Sequence, residues 1–344
     1  MRRLALCFVL AVPWVASVRP VAAHPEVEAV LAEMVRLLPG DFDSRRQVEL
    51  ERALGAPPDG VHEHWYRTMR LIDAPQIGEI VFYGELRVGG PGGPLVPGQQ
   101  ILYVPEIDEA RQSVNLVGQG LEDPERFERL HENPGLQREV RMRRHPDGPC
   151  DFHWRFAGPQ LRGKLGDDGT CTVRSRASDR NITWDAEWIL NDEALWIFDN
   201  GTVEGVGLIL GREDRTHTRL YRVTPFSCAL DLHGGEGGTR WQRDPLLLGD
   251  QGGSVDLSEL GGPALTLELR NPSVPAADGR SLRTRRTLAL VDTAASATLA
   301  RAHADGDATH IGFHAEAGSV LCHAAPDVPL DALRHATSSE ETPR

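Results

Sequence analysis

Residues 183–199 read TWDAEWILNDEALWIFD. Trp184, Ala186, Trp188 and Leu190 alternate with Thr183, Asp185 and Glu187, the period-two pattern of a strand with one buried face. The short polar connection Asn191-Asp192-Glu193 leads into a second apolar run, Ala194–Asp199, and Asn200-Gly201 predicts a turn after it. Upstream, Cys150, Phe152, Trp154 and Phe156 alternate in the same way with Asp151, His153 and Arg155. Further strands are predicted at Trp65–Leu71, Glu79–Val88, Gln99–Val104, Ser113–Val117, Gln160–Leu165, Thr170–Arg176, Gly207–Gly211 and Arg219–Val223. About ten short strands, each with one apolar face, predict an all-β fold: an antiparallel, calyx-like (lipocalin-like) β-barrel. Closure removes exposed strand edges, and a barrel of about eight to ten strands leaves room for one small ligand.

Helices flank this pattern. Val27, Val30, Leu31, Met34 and Leu38 recur at helical spacing until Pro39-Gly40 stops the run. A second helix, capped by Asp43 or Ser44, reaches Leu54 before Gly55 and Pro57 end it. A helical interruption is predicted at Asp123–His131, ahead of Asn133-Pro134. After Val223, glycine-rich stretches at 234–238 and 252–262 separate strands predicted at Phe226–Leu232, Ala264–Leu269, Thr284–Val291 and His310–Glu316. The expected organisation is a barrel over 24–223, a smaller C-terminal β-rich domain over 224–337, and a polar, disordered tail at 338–344.

Thirty-seven Lys and Arg stand against 50 Asp and Glu in 344 residues, a net charge of −13 that argues against nucleic acid and anionic membranes as partners. The 35 Gly and 24 Pro exclude a helical bundle. Arg2 and Arg3, the apolar run Leu4–Val18 and Val21-Ala22-Ala23 form an expected signal peptide cleaved after Ala23. The run is too short to span a membrane, so a periplasmic or secreted protein is expected. Cys7 would leave with the signal, and Cys150, Cys171, Cys228 and Cys322 then allow three pairings. Pairing neighbours would close one loop worth roughly 3 kcal/mol and another worth roughly 4–5 kcal/mol.

Metal-site readings are weak. His62-Glu63-His64 puts two histidines on one strand face but shows no third ligand, and His310, His314 and Glu316 fit the wet side of a half-buried strand. No metal and no cofactor are expected, and no G-x-S-x-G, H-E-x-x-H or P-loop occurs. Glu79–Val88 carries more: Val81, Tyr83, Glu85 and Arg87 share one face, opposite Ile80, Phe82 and Leu86. Lining a barrel, the first face would orient a conjugated, partly charged ligand; the same periodicity also fits a solvated outer face.

From about Leu37 to Val223 the chain resembles the CpcT/CpeT chromophore lyases. Pro39-Gly40-Asp41-Phe42-Asp43-Ser44-Arg45-Arg46-Gln47 is similar to their G-x-F-(S/D)-N-x-x-Q segment, with Ser44 in place of Asn. Tyr83-Gly84-Glu85 resembles Y-x-E, and Leu121-Glu122-Asp123-Pro124 with Phe127 resembles the family's central insertion. Gly148-Pro149-Cys150, Phe156-Ala157-Gly158 and Cys171 follow its next stretch. Asp199-Asn200-Gly201 and Leu220-Tyr221-Arg222-Val223 resemble its close. The resemblance implies a calyx, often a homodimer, that holds a linear tetrapyrrole (bilin) and attaches it to an acceptor protein's cysteine by a thioether bond. It implies Glu85 and Asp199 as carboxylates for pyrrole nitrogens, Arg87 as a propionate partner, Tyr83 and Tyr103 as stacking or hydrogen-bonding rings, and Gln100 beside them. No catalytic residue is nominated. Pro97-Gly98-Gln99-Gln100-Ile101 stands where the family reads P-Y-R-Q-R, so a tyrosine and two arginines are missing. The alternative is a non-catalytic, lipocalin-like periplasmic protein that binds a hydrophobic ligand, and a third reading makes the C-terminal domain a docking module.

Overall fold

The computed structural model describes residues 25–143, 150–166, 168–174, 179–233, 240–278 and 280–328. The predicted signal segment, the C-terminal tail, Gly148-Pro149 and the glycines of 234–238 lie outside the described residues.

The period-two segments form strands, and every strand pairing is antiparallel. The chain opens with α1 (Pro25–Leu37), β1 (Gly40–Asp43) and α2 (Arg45–Ala53), followed by β2 (Trp65–Leu71), β3 (Phe82–Val88), β4 (Leu95–Asp108) and β5 (Ser113–Gly120). After a short helical turn, α3 (Pro134–Gln137), come β6 (Phe152–Ala157), β7 (Gln160–Leu165), β8 (Thr170–Arg174), β9 (Asn181–Leu190), β10 (Ala194–Val203), β11 (Gly207–Leu210) and β12 (Thr218–Arg222). Neighbours run β10-β12-β1-β2-β3-β4-β5-β6-β7-β9, and β9 returns to β10 through the Asn191–Glu193 hairpin, so ten strands close into a barrel. β8 and β11 pair outside the ring, on β9 and β10.

Inside, Phe42, Met69, Phe82, Leu116, Trp154, Leu190, Leu195 and Leu220 form one core with Val27, Val30, Met34 and Leu37 of α1. The helix packs its apolar stripe across β4, β5 and β6, and burying each such side chain contributes about 1.5–3 kcal/mol.

Three local expectations are corrected. β1 was not predicted as a strand, because four residues carry too little alternation. Asn200-Gly201 does not turn: β10 continues to Val203. The Trp184 ring occupies the space a side chain at Gly201 would need, 2.7 Å from its Cβ position, and the Asn200 amide bonds both the N–H and the C=O of Arg212. Asp123–His131 is a series of turns rather than a helix, since Arg129 takes a left-handed conformation (φ 55°) before a single 3₁₀ turn at Leu130–Glu132.

The C-terminal strands are β13 (Pro225–His233), β14 (Arg240–Gly249), β15 (Gly253–Asp256), β16 (Leu265–Arg270), β17 (Ser273–Pro275), β18 (Leu282–Asp292), β19 (Thr298–Asp305), β20 (His310–Ala315) and β21 (Gly318–Ala324). They form two sheets, β14-β13-β21-β20 and β15-β16-β18, with β17 and β19 also on β18. Phe226, Leu230, Leu232, Leu267, Leu269, Leu288, Leu290 and Val320 share a second core.

Cys150 bonds Cys171, and Cys228 bonds Cys322. The second pair lies directly across the β13–β21 ladder, with both sulfurs fully buried. Two disulfides fit an oxidising compartment. No helix among the described residues is long and apolar enough to cross a membrane. Replacing Cys228 and Cys322 together by Ala removes a 94-residue loop closure and is expected to cost about 2–5 kcal/mol, read by urea unfolding. The Cys150/Cys171 double variant, which opens a 21-residue loop, is expected to cost less.

Candidate functional site

Register fixes which side chains enter the lumen. β2 and β3 pair Arg67 with Leu86 and Met69 with Gly84, while β3 and β4 pair Phe82 with Tyr103 and Gly84 with Ile101; these face inward. The intervening positions face outward, among them Tyr83 opposite Leu102 and Glu85 opposite Gln100. Tyr83, Glu85, Arg87 and Gln100 therefore do not line the lumen. Nor do they face solvent, because Phe127, Leu130 and Val140 from the segment after β5 cover that part of the wall. The six sequence-nominated residues fall into two groups on opposite sides of one sheet.

The outer group is closed upon itself. The Tyr83 hydroxyl donates to Glu85 Oε2 at 2.6 Å and accepts from the Gln100 amide at 3.1 Å. Arg87 donates from Nε to Glu85 at 2.6 Å, from Nη2 to Glu128 at 2.5 Å and from Nη1 to the Gly93 carbonyl at 2.9 Å. Glu85 also accepts the Arg129 backbone N–H at 2.9 Å. Burial, reinforced by the Glu85 charge, pushes the Tyr83 phenol well above its ordinary range, so it remains a neutral donor. With its hydrogen-bonding capacity used internally, this network holds the cover segment to the barrel.

The inner group is less complete. Arg67 is 2% exposed. Its Nη2 donates to the Tyr103 hydroxyl at 2.6 Å, its Nε faces Met69 Sδ at 3.4 Å, and its guanidinium lies 4.8 Å from the centre of the Trp188 ring. No carboxylate among the described residues forms an ion pair with it. The Trp188 indole donates to Asp199 Oδ1 at 3.0 Å. Removal from water pushes the Asp199 carboxyl up, against the pull of the Trp188 N–H and the Arg67 charge. Burial likewise raises the Tyr103 phenol, with Arg67 opposing. Trp154, edge-on to Trp188 at 6.4 Å, buries an indole N–H that has no hydrogen-bond partner among the described residues. Asp199 and Trp184 keep part of their surface exposed, whereas the positions beneath α1 are filled.

Sequence reasoning found Tyr103 and Asp199 here but missed Arg67 and Trp188 as site residues. The signal was available: Trp65, Arg67 and Met69 share one face of β2, an arginine set in an apolar stripe. The histidines diverge, His62 to Glu51 at 2.6 Å and His64 to Asp43 at 2.6 Å, so they do not share a strand face.

The fold and this group define a closed ten-stranded antiparallel barrel with a charged, aromatic lumen. No protein-family model matches the chain, and no curated protein matches it. Among solved structures it is similar to the CRL protein of Arabidopsis, at 15% identity and a TM-score of 0.43, over 57% of this chain and 97% of that one.

Glu85→Ala would leave Tyr83, Arg87 and the Arg129 amide without their shared acceptor, and is expected to cost about 3–5 kcal/mol in chemical denaturation. Tyr83→Phe should cost only about 1–2 kcal/mol. At Asp199, the folded state holds the carboxyl proton more tightly than the unfolded chain, so stability falls as pH rises from the ordinary carboxylate range through the raised folded pKa. Asp199→Asn removes that loss. Its advantage over the parent in urea unfolding should be absent at about pH 3.5 and present at neutral pH.

Proposed function

We propose that the protein is an exported binding protein whose barrel lumen takes one extended, conjugated or apolar ligand and pairs the ligand's anionic group with Arg67. The observation that carries this reading is a wholly buried guanidinium with one hydroxyl acceptor and, among the described residues, no carboxylate in an ion pair with it. Burying an unpaired charge costs several kcal/mol, and an acidic ligand would offset that cost on binding. The rings of Tyr103, Trp184 and Trp188 offer faces and edges to a flat guest. A linear tetrapyrrole meets both demands, with a propionate on Arg67 and pyrrole N–H groups on Asp199, and it is the ligand that the resemblance to the CpcT/CpeT lyases names.

Binding without thioether formation fits the chain better than ligation does. Ile101 stands where that family's P-Y-R-Q-R run carries its second arginine, and it faces the lumen opposite Gly84. The lumen is thus more apolar than a lyase of that pattern requires. The two disulfides and the signal-like N-terminus support an oxidising location outside the cytoplasm. Residues 24–223 are the binding unit in this reading, with 224–337 as a separate domain.

The test is a titration of the full chain with biliverdin, followed by absorption. A red-shifted, sharpened band saturating at tens of micromolar is expected. Arg67→Met should weaken it by about tenfold or more, since a charge-assisted hydrogen bond contributes at least that factor. Replacing a buried charge by an apolar side chain of similar size is often neutral for folding, so the variant should melt close to the parent. No spectral change at those concentrations, or a band indifferent to Arg67→Met, overturns the proposal.

A further inference from the structure

A large cleft lies outside the barrel. The outer faces of β1, β2 and β3 and the strands β14 and β15 enclose a cleft of about 840 Å3, within the range of small-molecule sites. Leu246, Leu247 and Leu248 of β14 line it together with Val255 and Leu260. The acids of the barrel wall already have partners: Asp41 forms an ion pair with Arg70 at 2.7 Å and Glu85 with Arg87 at 2.6 Å, and Asp43 is hydrogen-bonded to the His64 ring at 2.6 Å. On the facing side, the Asp256 carboxylate accepts from the Ser258 N–H at 2.9 Å and the Ser258 hydroxyl at 2.7 Å, and Glu259 is exposed.

Two cations lining the cleft, Arg45 and Arg243, are different. Both are half-buried, and among the described residues neither guanidinium has a hydrogen-bond acceptor or an ion-pair partner. Arg45 is nevertheless held in place. It is the first residue of α2, its backbone N–H donates to Asp43 Oδ1 at 2.7 Å, and its side chain lies against the bare backbone of Gly252. A Cβ at Gly252 would stand 2.5 Å from Arg45 Cδ and 2.8 Å from Nε, and the φ of +111° there favours glycine in any case. The β14–β15 turn thus seats a guanidinium whose donors remain unused, beside a leucine-lined wall.

We propose that this cleft binds a long-chain carboxylate, its head on Arg45 and its alkyl chain along Leu246–Leu248. The fork of an arginine matches a carboxylate in bidentate fashion, and the leucines supply the apolar contact that an alkyl tail needs. The site is separate from the lumen, and neither Arg67 nor the aromatic group takes part in it.

The test uses the full chain and cis-parinaric acid, a conjugated fatty acid whose fluorescence rises in an apolar site, with its methyl ester as the uncharged counterpart. One saturable molecule per chain at micromolar concentrations is expected, with the ester bound about tenfold more weakly. Arg45→Gln should weaken the acid by a similar factor and leave the ester's affinity unchanged. The acid-against-ester comparison needs no variant, so it decides even if a substitution disturbs folding. Equal binding of acid and ester, acid binding indifferent to Arg45→Gln, or no fluorescence rise at tens of micromolar would each overturn the proposal.

Discussion

Closure of the ring through the β9–β10 hairpin is the constraint on which the rest depends. Once those strands pair from Leu190–Leu195 through Ile182–Val203, each barrel strand must give one face to the lumen and the other to the outside. That commitment places Arg67 and Asp199 inside with Trp188. It places Glu85 and Arg87 outside, although Glu85 and Leu86 are adjacent in sequence and face opposite ways. A one-residue slip in β2 or β3 would exchange the two sets and put a salt-bridged pair in the core.

The two sides of the wall handle charge differently. Outside, Glu85, Arg87, Glu128 and Tyr83 satisfy one another, and the network's value lies in fastening the cover segment to the barrel. Inside, Arg67 relies on a hydroxyl, a sulfur and an aromatic face, which together supply less than a carboxylate would. The cleft repeats that contrast: the acids of its barrel wall are hydrogen-bonded, whereas the Arg45 guanidinium has no acceptor among the described residues. Charge left uncompensated in a shielded position is the feature common to both proposed sites.

Much of the architecture was legible because β6, β7, β9 and β12 alternate cleanly, so period alone locates them. β1, β15 and β17 are three or four residues long, too short for a period to register. β14 hid behind Pro245, which cannot donate to a ladder and sits where the β13–β14 register shifts. The site was harder to read. Every residue from Phe82 to Arg87 is buried, so alternation showed two faces without showing which one looked inward. Only the cover from Phe127 and Leu130, more than forty residues away, settles that, and such a contact leaves no local trace. Arg67 lay in plain view on an apolar stripe, whereas the pairing of Glu85 with Arg87 could be read from their spacing alone.

The barrel's first strand is zipped to its last: Phe42 of β1 lies opposite Arg222 of β12, about 180 residues later. No earlier portion of the barrel can complete the ring, so it stays open until β12 has been made. Such long-range topology lengthens the search for the native state and prolongs exposure of the tryptophan-rich strands. Until β12 arrives, the facing edges of β1 and β10 lack their barrel partner, and an unpaired strand edge is a template for pairing with another chain.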